Sequence, residues 1–135
     1  MDFRTISLAA LTLALTACSN AGVGNFSQAL DACSRGARSV EVRERGVVTR
    51  VLGQHQSTSG THEGFLFAIP MRGARTQLRV EDNADITGPV PLHRGEPIEV
   101  QGQLECNDLV IHWTHHDPRG HHIAGYIAVN GHIYQ

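Results

Sequence analysis

The chain contains no lysine, carries little net charge and has no long apolar run beyond its N-terminal segment. All 11 basic residues are Arg, which indicates a bias in base composition rather than a special chemistry. The formal net charge of −2 argues against generic nucleic-acid binding, which needs many phosphate contacts, so nucleic acid is a disfavoured partner. The lack of a further long apolar segment excludes a predicted transmembrane helix in the rest of the chain.

The sequence also lacks the residue patterns of two common kinds of enzyme. No Ser/His/Asp or Cys/His arrangement for nucleophilic catalysis is visible, and paired carboxylates at a recognisable spacing are absent. Internal repeats and low-complexity runs are absent as well. These absences favour a binding protein over an enzyme, while hydrolysis by a metal-bound water stays open as an alternative.

Residues 1–17 predict a lipoprotein signal peptide. An apolar run of about ten residues, 6–15, is too short to cross roughly 30 Å of hydrocarbon and is typical of a cleaved secretory signal. Leu-Thr-Ala then precedes Cys18 and resembles a lipobox, in which the cysteine carries the lipid after cleavage. The alternative is an ordinary signal cleaved after Ala17, with Cys18 incidental.

The residues after the signal set the expected location and domain organisation. Ser19 beside a lipidated Cys18 resembles lipoproteins that are sorted to the outer membrane. We therefore expect a lipid-anchored protein of the cell envelope, on the outer membrane and facing the periplasm, whose lipid makes the membrane its partner. Residues 18–26 predict a flexible tether, and residues 27–135 are enough for a single domain.

Two further cysteines, Cys33 and Cys106, form an even pair in a chain predicted to be exported. Because an exported compartment is oxidising, the pair predicts a disulfide. Closing a loop of about 73 residues would stabilise the fold by roughly 4 kcal/mol. The alternatives are two buried free thiols or a soft metal ligand.

The remaining sequence predicts a mainly β domain with one short N-terminal helix. Ser27 is a suitable N-cap for a helix over 27–38, and residues 40–52 alternate as a strand in which Gly46 indicates a bulge or bend. Residues 53–64 are polar and predict a loop. Other strands are predicted over 65–69, 76–81, 97–104, 108–114 and 122–129. A long bent first strand and about five strands in all favour a small OB-like five-stranded barrel, the oligonucleotide/oligosaccharide-binding type.

Five of the nine histidines lie between residues 112 and 122: His112, His115, His116, His121 and His122. Residues 117–120, Asp-Pro-Arg-Gly, have the pattern of a type I turn, so residues 109–129 predict a hairpin. In that register His115 opposes His122, and His116 opposes His121, with Cβ atoms roughly 5 Å apart. Neighbouring residues of a strand point to opposite faces, so a single site holds only one of these pairs.

The run HWTHHDP over residues 112–118 resembles the DUF3465 family of bacterial exported proteins. Other matching positions are Gly120, His122, Gly125, Gly131 and Tyr134. Weaker matches extend back to about residue 42: Gly46-Val47-Val48-Thr49, His62 with Phe65, Asn83, Asp85 and Gly95-Glu96. The resemblance implies an exported, OB-like β domain, and it brings no established biochemical role with it.

The sequence departs from the family pattern at three places. Asp82 stands where the family usually has His, and Tyr126 replaces a Trp. Residues 104–107 read Leu-Glu-Cys-Asn instead of Tyr-Glu-Trp-Asn, so Cys106 implies a disulfide particular to this branch.

A metal site is the main functional hypothesis. The imidazoles of His62, His115 and His122, with Asp82 or His112 as further ligands, would converge on a divalent ion such as zinc or copper. The resemblance favours His115 and His122, since both match family histidines, over His121. The alternative for these histidines is a hydrogen-bonded ladder.

Two functions follow from these patterns. The first is a binding module whose His cluster holds a metal or a small ligand. The second is a metal-dependent hydrolase, of the phosphodiesterase or nuclease kind, on the same barrel. Trp113 and Tyr126 could stack on a base or a sugar, but we expect both in the core.

Overall fold

The computed structural model describes residues 22–135, which form a sheet of seven strands and two helices. The predicted signal peptide, Cys18 and the first part of the predicted tether lie outside the described residues. Neither helix has the length and apolar character needed to span a bilayer. The elements are α1 (Phe26–Ser34), β1 (Ser39–Ser57), β2 (Gly60–Met71), β3 (Ala74–Asn83), α2 (Ala84–Thr87), β4 (Pro97–Glu105), β5 (Val110–His112), β6 (Tyr126–Val129) and β7 (His132–Tyr134).

Five of these strands close into a ring in the order β1-β2-β3-β5-β4, with β4 returning to β1. The β3–β5 pair is parallel and the other four pairs are antiparallel. β6 and β7 continue the sheet outside the ring. The prediction of a mainly β, OB-like five-stranded fold is confirmed.

β1 closes the ring because it pairs with a different strand along each half. Residues 39–47 pair with β4, and residues 47–57 pair with β2. The change of partner falls beside Gly46, where a Cβ would collide with the carbonyl oxygen of Ala68. Gly46 therefore permits the close approach of β1 to β2 at this point, whereas the register shifts of β1 lie further along, between residues 48 and 53.

The core fills the ring with alternate residues of each strand. Because Leu78 and Val80 point inward, Glu81 and Asn83 fall on the outer face of β3. The fully buried apolar side chains, each at most 2% exposed, include Val42, Val48, Phe65, Phe67, Ile69, Leu78, Val80, Val100, Leu104, Ile111, Ile127 and Val129.

The N-terminal helix begins earlier than the sequence predicted. Its N-cap is Asn25, whose side chain accepts from the Gln28 amide while the Gln28 side chain accepts from the Asn25 amide. This reciprocal capping box satisfies two free N–H groups, so Ser27 as the N-cap was wrong. Gly24 already pairs with β1, and Phe26 is buried in the core. Ordered contacts thus begin within the segment predicted as tether.

The predicted loop over residues 53–64 was wrong. β1 and β2 continue as a two-stranded ribbon, in which His55 is paired with His62 and Ser57 with Gly60. Residues 53–57 of β1 are half-buried or exposed, so their side chains are polar although the backbone is extended. The polar composition therefore resembled that of a loop, although the backbone of these residues is paired in a ladder.

The predicted disulfide is confirmed between Cys33 and Cys106, whose Cα atoms are 5.4 Å apart. Cys33 lies near the end of α1, and Cys106 follows directly on β4. The bond therefore fixes the helix against the turn that leads into β5.

Candidate ligand and metal site

The histidine-rich segment is a loop between β5 and β6 rather than a hairpin. Both strands pair with the same edge of β4: Ile111 and His112 with Leu104 and Gln103, and residues 126–129 with residues 98–101. The predicted pairing of 108–114 with 122–129 was therefore wrong. β4 is long enough to pair with two short strands in succession. Residues 113–125 therefore form a loop on the outside of the sheet.

Two glycines allow this loop to leave and rejoin the sheet. The Gly125 amide donates to the His115 carbonyl oxygen at 2.8 Å. A Cβ on Gly125 would lie 2.6 Å from the Gln101 carbonyl oxygen and still closer to that of Trp113. A Cβ on Gly102 would lie 2.9 Å from the Thr114 side chain. Only glycine lets the two backbones approach this closely.

The predicted turn over residues 117–120 is present at the tip of the loop. The Asp117 carboxylate accepts from the backbone amides of Arg119 at 3.0 Å and His122 at 2.7 Å. Desolvation of Asp117 acts to raise its pKa, but these backbone hydrogen bonds outweigh it and the pKa is lowered. Asp117 therefore orders the turn as an anion and brings His122 back toward the start of the loop.

His115 and His122 meet edge to face, with ring centroids 5.0 Å apart and planes at 89°. Nδ1 of His115 lies 2.7 Å from the His116 carbonyl oxygen, and Nδ1 of His122 lies 2.8 Å from that of Ile123. A carbonyl oxygen can only accept, so each Nδ1 carries a proton. In the neutral rings the lone pair is then on Nε2. The two histidines come together as predicted, although not as partners in a hairpin.

Trp113 covers this pair from the solvent side. Its ring centroid lies 4.7 Å from that of His122 and 5.9 Å from that of His115. Trp113 is 43% exposed, so its predicted place in the core was wrong. Its φ of 56° lies in the left-handed region that non-glycine residues rarely adopt, and this turns the indole out over the imidazoles.

Asp82 supports the loop from inside the ring and lines no cleft beside the histidine pair. Its side chain is 1% exposed, and it accepts hydrogen bonds from the hydroxyls of Thr114, at 2.6 Å, and Thr87. The contact with Thr114 fixes the loop between Trp113 and His115. Both carboxylate oxygens already have partners, so Asp82 acts on the site through Thr114.

We expect Asp82→Ala to lower the free energy of unfolding by about 2 kcal/mol, because two hydroxyl donors lose a carboxylate partner while the cost of burying its charge is relieved. Urea denaturation measures the change. Asp82→Asn is the matched control and should lose less, since the amide still bonds to both hydroxyls. Equal stability of the Ala and Asn variants would show that these bonds contribute little.

The same residue gives a pH dependence. Burial raises the pKa of Asp82, and the hydrogen bonds from Thr114 and Thr87 only partly offset it. The native carboxyl therefore takes up a proton at a higher pH than the unfolded one, and its contribution to stability falls as pH rises from the ordinary Asp pKa to the native pKa. As pH rises between those two values, the free energy of unfolding of wild type should fall relative to that of Asp82→Asn. A rise of wild-type stability relative to this variant would contradict the raised pKa of Asp82.

The other predicted ligands lie around two adjoining clefts. His62 and His112 line a cleft of about 300 Å³ together with Trp113 and His115. His122 lines a second cleft, of about 410 Å³, which shares Trp113 and His115 with the first. His62 stands within β2, not in a preceding loop, and its Nε2 lies 2.9 Å from the Ser59 hydroxyl. The structure thus brings His115 and His122 together and leaves His62 and His112 as cleft-lining residues.

Sequence reasoning missed three carboxylates at or near this surface: Glu81 and Glu105, which line the first cleft, and Glu41. Glu81 lines the first cleft, and its Oε2 is buried without a hydrogen-bond partner. Glu41 also has a buried oxygen without a hydrogen-bond partner. Burial raises the pKa of Glu41, and the hydrogen bond from Gln103 and the nearby His122 only partly offset this rise. The alternation around Val80 predicts that Glu81 points outward, but nothing in the sequence shows that another segment covers it.

Among residues 22–135, no three His, Cys, Asp or Glu side chains already stand close enough to form a metal site. The fold and the clefts define a small OB-like β protein with an imidazole- and Trp-lined surface. The chain belongs to the DUF3465 family, described as a protein of unknown function, whose model matches residues 11–135. No curated protein and no solved structure matches the chain.

Proposed function

We propose that this protein is a lipid-anchored binding module of the cell envelope that holds a divalent transition metal between His115 and His122. One observation carries the proposal: each Nδ1–H is already donated to a backbone carbonyl, at 2.7 and 2.8 Å, in two rings whose centroids are 5.0 Å apart. Metal-binding histidines usually have this arrangement, because the second hydrogen bond fixes the tautomer and orients the ring. Nε2 is then the ligand atom of both.

The environment of the pair supports a binding role. Zinc and copper both accept imidazole nitrogen, and water or a small ligand from the adjoining clefts would complete the coordination. The Asp117 Oδ1 atom lies 3.9 Å from Nε2 of His122 and adds negative charge beside the ion. No observation favours the hydrolase alternative, so we propose binding alone.

We expect His115→Ala and His122→Ala each to abolish binding of one equivalent of Zn²⁺ or Cu²⁺ at this pair, because a single imidazole remains. His121→Ala is the matched control, since His121 lines the same cleft as His122 but belongs to neither proposed ligand set. Calorimetric titration gives the stoichiometry. Quenching of Trp113, the single Trp of the chain, reports binding of Cu²⁺ beside it. Equal losses in all three variants, or unchanged binding in the first two, would contradict the proposal.

The lipid anchor has its own test. Cys18→Ala should move the protein from the membrane fraction to the soluble envelope fraction, because the predicted acylation site is lost. Ser19→Ala keeps the Leu-Thr-Ala-Cys sequence and should leave the protein in the membrane fraction. Unchanged membrane association of Cys18→Ala would show that Cys18 is incidental.

A further inference from the structure

We propose a second cation site on the outer face of the sheet formed by β1, β2 and β3. His55, His62 and Glu81 form this site, and it takes a divalent ion of the zinc type. It shares no ligand with the His115/His122 pair and goes beyond the function proposed above.

Strand register puts the three side chains on one face of the sheet. His55 of β1 is directly opposite His62 of β2, and their ring centroids are 5.9 Å apart. His62 is opposite Asn83 of β3, and Glu81 lies two residues before Asn83, so it shares that face. Three adjacent strands therefore each contribute one candidate ligand to the same face.

The unpartnered oxygen of Glu81 is the observation that points to a ligand. The Glu81 side chain is 8% exposed. Its Oε1 is bound by the Arg79 guanidinium, whereas its Oε2 is buried and has no hydrogen-bond partner. A buried carboxylate oxygen without a partner is costly, and a cation would remove that cost.

The distances suit an ion better than a hydrogen bond. The Oε2 of Glu81 lies 3.6 Å from Nε2 of His55, beyond hydrogen-bond range. Two atoms that share a tetrahedral zinc, with bonds of about 2.0 Å, lie about 3.3 Å apart. Two His and one Glu are a ligand set that zinc uses with a fourth position open.

Closure of the site requires changes in both histidines. His62 must exchange its 2.9 Å contact with the Ser59 hydroxyl for the ion. His55 is 51% exposed in its side chain and is free to turn. This is why no finished three-ligand group exists among the described residues.

The test is a Zn²⁺ titration by calorimetry in the His115→Ala/His122→Ala double variant, which lacks the first pair. This variant should still bind one equivalent, and adding Glu81→Gln or His55→Ala should weaken that binding more than about 10-fold. Glu81→Gln keeps an acceptor for Arg79, and a thermal melt checks its folding. His93→Ala and Glu96→Gln are matched controls, because this His–Glu pair, 3.3 Å apart, belongs to neither proposed site.

The outcomes separate the two proposals. Two equivalents in wild type and one in the double variant support both sites. One equivalent in wild type and none in the double variant overturns this second site alone, whereas one in each overturns only the His115/His122 pair. Unchanged affinity on adding Glu81→Gln also overturns the second site.

Discussion

Removing the Cys33–Cys106 disulfide is expected to lower the free energy of unfolding by about 4 kcal/mol, the largest single effect that the fold predicts. The two cysteines are 73 residues apart, so the bond removes many conformations from the unfolded chain. It also joins α1, which contributes Phe26 and Ala29 to the core, to the far end of the sheet. Without it, α1 would be held by its packing and by the hydrogen bonds of Gly24 and Phe26 to β1.

Urea denaturation of the Cys33→Ser/Cys106→Ser double variant measures this effect. Wild type in excess reductant should show the same loss, since it opens the same bond. The matched control is the double variant in reductant, which should not change further. A loss below about 1 kcal/mol would contradict the expected constraint on the unfolded chain.

Gly125→Ala is expected to cost about 3 kcal/mol and to disturb the candidate site as well. Its Cβ would lie 2.6 Å from the Gln101 carbonyl oxygen and still closer to that of Trp113. Both are backbone atoms, which cannot rotate away as a side chain can. The loop must shift, and Trp113 and His115 shift with it. Chemical denaturation and the emission of Trp113 should therefore change together.

Gly120→Ala is the comparison for Gly125→Ala. Gly120 has a φ of 70°, and a methyl group there would meet nothing within 4 Å, so its replacement costs only backbone strain, about 1 kcal/mol. It should leave the emission of Trp113 unchanged, because the turn lies at the tip of the loop. If the two variants behave alike, close backbone approach is not what requires glycine at position 125.

The sequence predicted the ring correctly because its signals are local. Alternation in the strands indicates which residues face inward, and Gly46 lies beside the point where β1 changes its partner. The disulfide followed from an even pair of cysteines. The turn at 117–120 was also correct, since Asp117 and Gly120 determine it over four residues.

The errors arose where a distant strand decides the pairing. The turn at 117–120 does not determine which edge receives β5 and β6; β4 does, and it accepts both. For the candidate site, the sequence indicated His115 and His122. Their contact results from the Asp117 hydrogen bonds and from the close backbone approach at Gly102 and Gly125. Glu81 could not be identified in advance, because its burial depends on the segments that fold over it.

The most direct test of the His115/His122 pair is nitrogen NMR of the imidazole rings during a titration with Zn²⁺. Before metal is added, Nδ1 of each ring should carry the proton that it donates to a backbone carbonyl oxygen. Two equivalents of Zn²⁺, enough to fill both proposed sites, should then shift Nε2 of His115 and His122 together and leave Nε2 of His121 unchanged. Binding of the ion without a shift at His115 and His122, or no binding at neutral pH, would contradict the proposed pair.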